Sequence, residues 1–438
     1  MSGVLSAAPA ALDTFANQLR MCPFDATLRS MLPRHAERQL EDLGRWYPVI
    51  AITGPRQSGK TTLARRAFPG KPYVSLEDPD TRETALADPR RFLAQFGTGA
   101  VIDEAQRAPA LFSYLQSRVD QDRHDGKAPL AWVLTGSQHF GLITPITQSL
   151  AGRVGLLHLL PFSLGELQQA GHALARAPLE ELLWHGLYPP VVDRAVPPGV
   201  WYADYFATYV ERDVRQLVNV RDLAAFRTFV RMCAARTAQQ VHLSALAADC
   251  GVSANTAKGW LSILEASYIV YTLPQHHVNY GKRLVKAPKL YFYDSGLAAW
   301  LVGLRSSREL ALSSLRGPMF ETWAIGEVLK VRSHHRLAPT LHYWRDKLGV
   351  EIDLLLDSGT RLVPMEFRAG QTVAGDWVHN LRRYLTLAAG RAPGLPVEHP
   401  VVVYGGDAPQ VRDGIDVEGW RALPELALRL LGGEPATG

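Results

Sequence analysis

Residues 46–68, WYPVIAITGPRQSGKTTLARRAF, decide the fold of this chain. Residues 46–53 read as a short buried strand, and residues 60–68 read as a helix. Between them Gly54, Pro55, Arg56, Gln57, Ser58, Gly59, Lys60 and Thr61 satisfy the pattern G-x-x-x-x-G-K-[ST] with no mismatch, and Thr62 follows. Strand, tight loop and helix N-terminus are the setting that phosphate binding needs. Glycines let the backbone wrap closely around phosphate oxygens, and free N–H groups at the helix start point at the anion. In that setting Lys60 reaches the β- and γ-phosphates and the Thr61 hydroxyl holds Mg²⁺. A Gly-rich turn on a basic helix is the bland alternative, and the next motif weakens it.

Residues 100–104 (AVIDE) form an apolar strand that ends in two carboxylates. Asp103 is placed to hold Mg²⁺ through water, as on a Walker B strand, and Glu104 is the natural base or orienter for an attacking water. A third strand, residues 130–135, ends at Gly136, Ser137 and Gln138. A polar side chain there, Ser137 first, would sense the γ-phosphate or position water. Further strands are expected at 73–76 and 154–160, with a helical stretch over 81–96. Alternating strands and helices imply a parallel sheet covered on both faces. An additional strand between the two Walker strands, with a Glu after the Walker B Asp, resembles the AAA-type branch of P-loop ATPases. That resemblance implies an arginine supplied across a subunit boundary, hence a homo-oligomer. Arg153 and Arg212 are the two candidates.

Composition sets outer limits. The chain has 438 residues, more than one core holds, so two or three domains are expected. Hydrophobic residues make up 47% and charged residues 20%, so a chain with sizeable cores is expected and disorder is not the main reading. A net charge of +5 mildly favours an anionic partner. Cys22, Cys233 and Cys250 are scattered without metal-type spacing, which fits a reducing cytoplasm. The first residues lack the basic start of a secretory signal, and no apolar run reaches membrane-spanning length.

Residues 201–218 and 223–239 are patterned as helices. Residues 241–253 then read as a short helix closed by Gly251, and a second helix begins at the N-cap Ser253. Helix, Gly turn and helix, followed by strand-like segments at 268–273 and 289–293, make a helix-turn-helix with a wing. Asn255, Thr256 and Lys258 would start a recognition helix, and Lys282, Arg283, Lys286 and Lys289 lie on or between the wing strands. Two readings stand side by side: DNA binding, and a packing module with no DNA. Asp294 is expected to cap the next helix.

The last third has an α-β-β-β-α-β order. A helix over 319–331 carries Glu321 and Glu327, strands follow at 340–344, 350–356 and 361–367, and a helix at 378–388 precedes a strand at 401–404. Glu351 and Asp353 lie on the second strand, and Glu366, Phe367 and Arg368 end the third. An acid followed by E-x-K on the next strand is the PD-(D/E)xK nuclease pattern, in which carboxylates hold Mg²⁺ and a lysine activates water. Asp353 and Glu366, with Glu327 from the helix, are the candidate metal ligands. Arg368 stands at the lysine position; its fixed charge suits holding phosphate and not acting as a base. Binding without cutting is therefore expected.

The ordered set GPRQSGKTT, VIDEAQ, LTGSQ, LAGRV, PFSLGEL, YVERDV, YFYDSGL, FETWAIGEVL, YWRD, EIDLLL and MEFRAG resembles a large prokaryotic family of ATP-binding proteins. Its members join an AAA-type ATPase to a carboxy-terminal domain of unknown function, with a winged helix and a restriction-endonuclease-like end. The resemblance runs from about Arg38 to Tyr404. Relatives carry Glu-x-Lys where this chain has Glu366-Phe367-Arg368.

The expected fold is α/β. An amino-terminal extension (1–37) precedes a P-loop AAA-type parallel-sheet domain (38–195). A helical and winged-helix domain (196–310) and an α/β restriction-endonuclease-like domain (311–438) follow. The expected activity is cytoplasmic, Mg²⁺-dependent hydrolysis of ATP, coupled to a DNA-binding or nuclease-like carboxy-terminal module. An ATP-gated nuclease and a signalling ATPase that binds only protein are the alternatives.

Overall fold

The computed structural model describes residues 32–126, 132–136, 148–214, 222–277, 286–390 and 395–433. It opens with helix α1 (Ala36–Trp46) and strand β1 (Val49–Thr53), whose five residues are all buried. Helix α2 (Lys60–Ala67) follows the phosphate loop. Strands β2 (Tyr73–Ser75), β3 (Val101–Asp103), β4 (Trp132–Thr135) and β5 (Val154–His158) complete a parallel sheet in the order β2-β3-β4-β1-β5. Alternate residues of each strand feed opposite faces. Val49, Ala51, Ile102 and Leu134 pack with Phe112 and Leu115 on one side. Ile50, Ile52, Val101 and Val133 pack with Leu40, Leu43 and Leu63 on the other. Burial on both faces is why these strands read as unbroken apolar runs.

The helical stretch expected over 81–96 is built of two helices, α3 (Pro79–Ala87) and α4 (Pro89–Ala94). Pro89 has no N–H to continue the ladder, and the Asp88 carboxylate accepts from Arg91 N at 2.9 Å to start the second helix. Of the stretch expected as helix over 201–218, the described part divides similarly, into α5 (Pro198–Tyr205) and a π-helical segment over Phe206–Val214, and residues 215–218 lie outside the described residues.

The two helices expected on either side of the Gly251 turn are present. Helix α6 (Leu243–Asp249) ends near Gly251, which has φ 67°, and α7 (Ala254–Ala266) starts where Ser253 Oγ accepts from Thr256 N at 3.1 Å. Strands β6 (Gln239–Gln240), β7 (Val270–Leu273) and β8 (Lys289–Phe292) form an antiparallel sheet in the order β6-β8-β7. Lys282 and Arg283 lie outside the described residues. Asp294 caps the following helix through Leu297 N at 2.8 Å, as expected.

In the last third, helix α8 (Arg316–His334) precedes β9 (Thr340–Arg345), β10 (Glu351–Asp357) and β11 (Leu362–Arg368), which pair antiparallel. Helix α9 (His379–Ala389) and β12 (Val401–Tyr404) complete the expected order, with β12 parallel to β11. Two further strands, β13 (Gln410–Arg412) and β14 (Ile415–Gly419), extend the sheet to six, and helix α10 (Leu423–Leu430) closes it. One contiguous apolar cluster runs through the middle and last thirds, from Phe162 to Leu431. The outer face of the carboxy-terminal sheet carries a second apolar cluster of its own, around Trp344, Leu355 and Tyr384. Among the described residues no helix is long and apolar enough to cross a membrane.

Candidate functional site

The phosphate loop leaves β1 at Thr53 and enters α2 at Lys60. Gly54 has φ 147°, and a Cβ there would overlap the Leu159 carbonyl. Gly59 caps α2 at φ 94°, so both glycines are required by backbone shape. Gln57 takes φ 63° without being glycine, and its Oε1 accepts from the Trp201 indole N–H at 3.0 Å.

Lys60 is buried, and its ammonium donates to the carbonyls of Gly54 (3.1 Å) and Pro55 (2.7 Å). Burial lowers its pKa to about 8, against the attraction of Glu104 and Asp103. Thr61 Oγ1 donates to the two Asp103 oxygens at 3.1 and 3.0 Å. Asp103 also accepts from Tyr73 Oη at 2.9 Å, from Glu104 N at 3.1 Å and from the Thr135 hydroxyl. Glu104 sits in the left-handed region at φ 52°. Burial pushes its carboxyl pKa up, and the Gln106 amide donates to it. A strained acid of raised pKa beside a phosphate loop suits water activation. Lys60, Thr61, Thr62, Asp103 and Glu104 line one cavity of about 490 Å³. Its donor set, two oxygens of Asp103 beside a hydroxyl, is the hard-oxygen chemistry that Mg²⁺ takes.

Arg34, which the sequence reading left in an extension, is 8% exposed and belongs to this site. Its guanidinium donates to Ser58 O (2.9 Å), Leu160 O (2.6 Å) and Glu166 Oε1 (3.0 Å). It thereby ties the loop to the segment after β5. Glu166 also completes a capping box with Ser163 on the helix Leu164–Gln169. Arg34 overcomes the effect of burial and holds the Glu166 carboxyl at about 2.

The structure does not gather every expected residue. Ser137 lies outside the described residues; Thr135 occupies the end of β4 and takes the contact to Asp103. Arg153 precedes Val154, which pairs with Val49 at the start of β1. It lies at the opposite end of the strands from its own phosphate loop, roughly 16 Å along the strand direction. There it makes a bidentate pair with Asp120 at 2.6 and 2.9 Å. Arg212 falls within the segment Phe206–Val214, with its side chain outside the described residues.

The carboxy-terminal constellation departs further from expectation. Glu327 does not join it. Its carboxylate accepts from Leu164 N at 2.7 Å and pairs with Lys330 at 2.8 Å, fastening α8 to the segment after β5. Glu321, six residues earlier and on another face of the helix, is the acid that α8 supplies. It accepts from Tyr291 Oη (2.7 Å) and Lys289 Nζ (2.9 Å). Lys289 also lies 2.5 Å from Glu351 and 4.0 Å from Asp353. Burial opposes its charge, but these carboxylates raise its pKa. Arg368 lies 3.4 Å from Asp353 and 2.5 Å from Glu366. Glu366 is buried, and burial with Asp353 nearby pushes its pKa well up. Asp353 and Glu366, expected as metal ligands, thus face built-in cations. Among the described residues no group of three or more His, Cys, Asp or Glu side chains is arranged to hold a metal.

Sequence reasoning missed Arg34, Tyr73, Thr135 and Trp201, and it did not connect Lys289 with Glu321. The one local signal was Lys289 itself, a lysine in a strand otherwise made of Leu290, Tyr291 and Phe292. A buried lysine demands an acidic partner.

Three family profiles match consecutive parts of the chain. One described as AAA domain covers residues 47–168, a domain of unknown function (DUF8612) covers 176–308, and a domain of unknown function (DUF4143) covers 316–424. Two curated relatives are Uncharacterized protein Rv2008c of Mycobacterium tuberculosis and Uncharacterized protein Mb2031c of Mycobacterium bovis. Each is 31% identical over 330 residues, which is 74% of this chain and 71% of theirs. Among solved structures, the Walker-type ATPase PABY2304 of Pyrococcus abyssi is similar at TM-score 0.39 and 17% identity, over 62% of this chain and 96% of that one. The RuvB Holliday junction branch migration motor of Thermotoga maritima is similar at TM-score 0.27 and 18% identity, over 61% and 93%. With the matched order of parts and the identity to the mycobacterial proteins, the chain belongs to the family of AAA-type P-loop proteins that carry a fused carboxy-terminal domain of unknown function.

Proposed function

We propose that this protein is a Mg²⁺-dependent ATPase whose nucleotide cycle acts on the middle and carboxy-terminal regions joined to it. The observation that carries this reading is the Thr61 hydroxyl within 3.1 Å of the Asp103 carboxylate, with Lys60 and Glu104 lining the same cavity. Loop N–H groups and Lys60, leaving the Gly54 and Pro55 carbonyls, would bind the β- and γ-phosphates. Thr61 and Asp103 would hold Mg²⁺, which supplies charge neutralisation on the phosphates. Glu104 would orient and deprotonate water, helped by its raised pKa.

The middle region, read as a winged helix, supports DNA as the partner. Asn255 and Lys258 stand exposed at the start of α7, where a recognition helix presents side chains to a groove. The carboxy-terminal region supports phosphate docking and not cleavage, because Lys289 and Arg368 engage its acids. The test is ATPase activity of the full chain with and without added duplex DNA, beside Lys60→Ala. Hydrolysis that DNA stimulates, with DNA affinity falling steeply as salt rises, supports the full reading. No hydrolysis and no ATP binding would refute the ATPase. Hydrolysis indifferent to DNA, with no salt-dependent binding, would leave an ATPase that acts on protein.

A further inference from the structure

Three aromatic side chains of the middle region touch two residues of the phosphate loop and Thr53, the strand residue from which the loop leaves. Tyr268 Oη lies 2.9 Å from Thr53 Oγ1, which also bonds His158 Nδ1 at 2.8 Å. The Trp201 indole donates to Gln57 Oε1 at 3.0 Å. The Tyr209 ring centroid lies 5.9 Å from the Arg56 guanidinium carbon. The three aromatics are themselves connected. Trp201, Tyr205 and Tyr209 form a row at i, i+4 and i+8, with ring separations of 4.7 and 5.3 Å. Tyr209 Oη donates to Ser267 O at 3.1 Å, beside Tyr268 at the end of α7. Both hydrogen-bond contacts involve strained backbone: Gln57 has φ 63° and Tyr268 has φ 56°. Neither is glycine, so each conformation costs free energy and persists only where neighbours hold it. The phosphate loop therefore depends for its shape on a region that lies outside the parallel sheet.

We propose that Trp201 and Tyr268 are positioning residues for nucleotide binding, and that through them the conformation of the middle region and ATP affinity are reciprocally coupled. The inference rests on the ATPase reading above. The loop N–H groups grip phosphate only in one backbone shape, and Gln57 in its left-handed conformation is part of that shape. A bound phosphate that fixes the loop also fixes Gln57 against Trp201 and Thr53 against Tyr268. Helix α7 then carries the constraint from Tyr268 to its exposed start at Ala254, roughly 20 Å for 13 residues. A ligand that binds the start of α7 more tightly in one of the two states must, by linkage, shift ATP affinity by the same factor.

The experiment measures the affinity of the full chain for a fluorescent ATP analogue with Mg²⁺. The proteins are wild type, Lys60→Ala, Trp201→Phe, Tyr268→Phe, Gln57→Leu and the Gln57→Leu/Trp201→Phe double variant. Circular dichroism and nucleotide-free melting accompany each. Trp201→Phe keeps the ring stack and deletes only the N–H; Tyr268→Phe deletes only the hydroxyl. Each is expected to weaken ATP binding about three- to tenfold, the scale of one hydrogen bond, with the fold retained. The double variant should lose no more than the worse single one, because both delete the same bond. Hydrogen exchange across residues 254–266 should slow when ATP is added to wild type and respond less in Tyr268→Phe. Wild-type affinity in both aromatic variants, or exchange in 254–266 that ignores ATP, overturns the proposal. Fully additive losses at Gln57 and Trp201 overturn the Trp201 contact. A wild-type protein that fails to bind the analogue overturns the ATPase reading itself, and this inference with it.

Discussion

Lys289 Nζ lies 2.9 Å from Glu321 Oε1, joining the sheet of the middle region to the first long helix of the carboxy-terminal region. The ammonium is 3% exposed and also sits 2.5 Å from Glu351. It occupies the centre of an acidic cluster where the sequence pattern leads one to expect a divalent cation. Removing one partner of a buried ion pair costs about 3–5 kcal/mol, because the other charge is left uncompensated. Lys289→Met should therefore lower unfolding free energy by about that amount, measured by urea titration. The loss should depend on pH. Burial and Asp353 already raise the Glu321 pKa from 4.5 to about 7 with the lysine present. A carboxyl whose folded pKa lies above its unfolded value stabilises the fold fully below the unfolded pKa and loses that contribution as pH rises through the folded one. The variant should be least impaired near pH 5 and most impaired near pH 8. A loss independent of pH would mean that Glu321 is not the uncompensated group.

With Arg368 on Glu366 and Lys289 on Glu351, the carboxy-terminal acids should not cut DNA. Linear and supercoiled DNA incubated with the protein in Mg²⁺ or Mn²⁺, with and without ATP, should remain intact. Cleavage that vanishes in Asp353→Ala would refute this. Activity that emerges in Arg368→Lys would locate the silencing at that guanidinium.

Glu104→Gln keeps the side chain's shape and removes its charge. ATP binding should persist while turnover falls at least about a hundredfold, the usual cost of losing a base or water orienter. Near-normal turnover would move that role to Gln106 or Ser137.

Arg153 faces away from its own phosphate loop, so any catalytic part it plays must be in a neighbouring copy. Arg153→Ala should retain ATP binding and lose turnover. Mixing it with Lys60→Ala should restore some activity, since each supplies what the other lacks. Full activity from a protein that sediments strictly as a monomer would exclude the proposal.

His334 is buried beside Glu166 at 3.6 Å, and burial depresses its pKa to about 3. The unfolded chain protonates it near 6.5, so the unfolded state binds more protons between those values. Stability should be complete above about pH 6.5 and fall as pH drops toward 3. Glu166, at about 2, adds a further loss below about pH 4.5. His334→Phe should flatten the decline between pH 6.5 and 5 in urea titrations; an unchanged slope would show that the imidazole already titrates in the folded protein.

The candidate phosphate-loop site was legible in the sequence because its chemistry is local. Gly54 to Thr61 is one continuous loop, and the strand ending in Asp103 and Glu104 announces itself by a run of apolar residues that stops at two acids. Gly251 and Ser253 marked the turn between α6 and α7 for the same reason: left-handed backbone and N-caps are decided by neighbouring residues. The choice of Glu327 over Glu321 failed because both lie on α8 and only the packing of that helix decides which acid faces β8 and which faces Leu164. Arg34, Trp201 and Tyr268 were illegible because their partners lie 24, 144 and 215 residues away. Periodicity reports that a side chain is inside, but not which distant backbone it meets there. The tertiary structure alone decided that Lys289 fills the acidic cluster, since that contact joins a strand and a helix 32 residues apart and depends on how two sheets share one core.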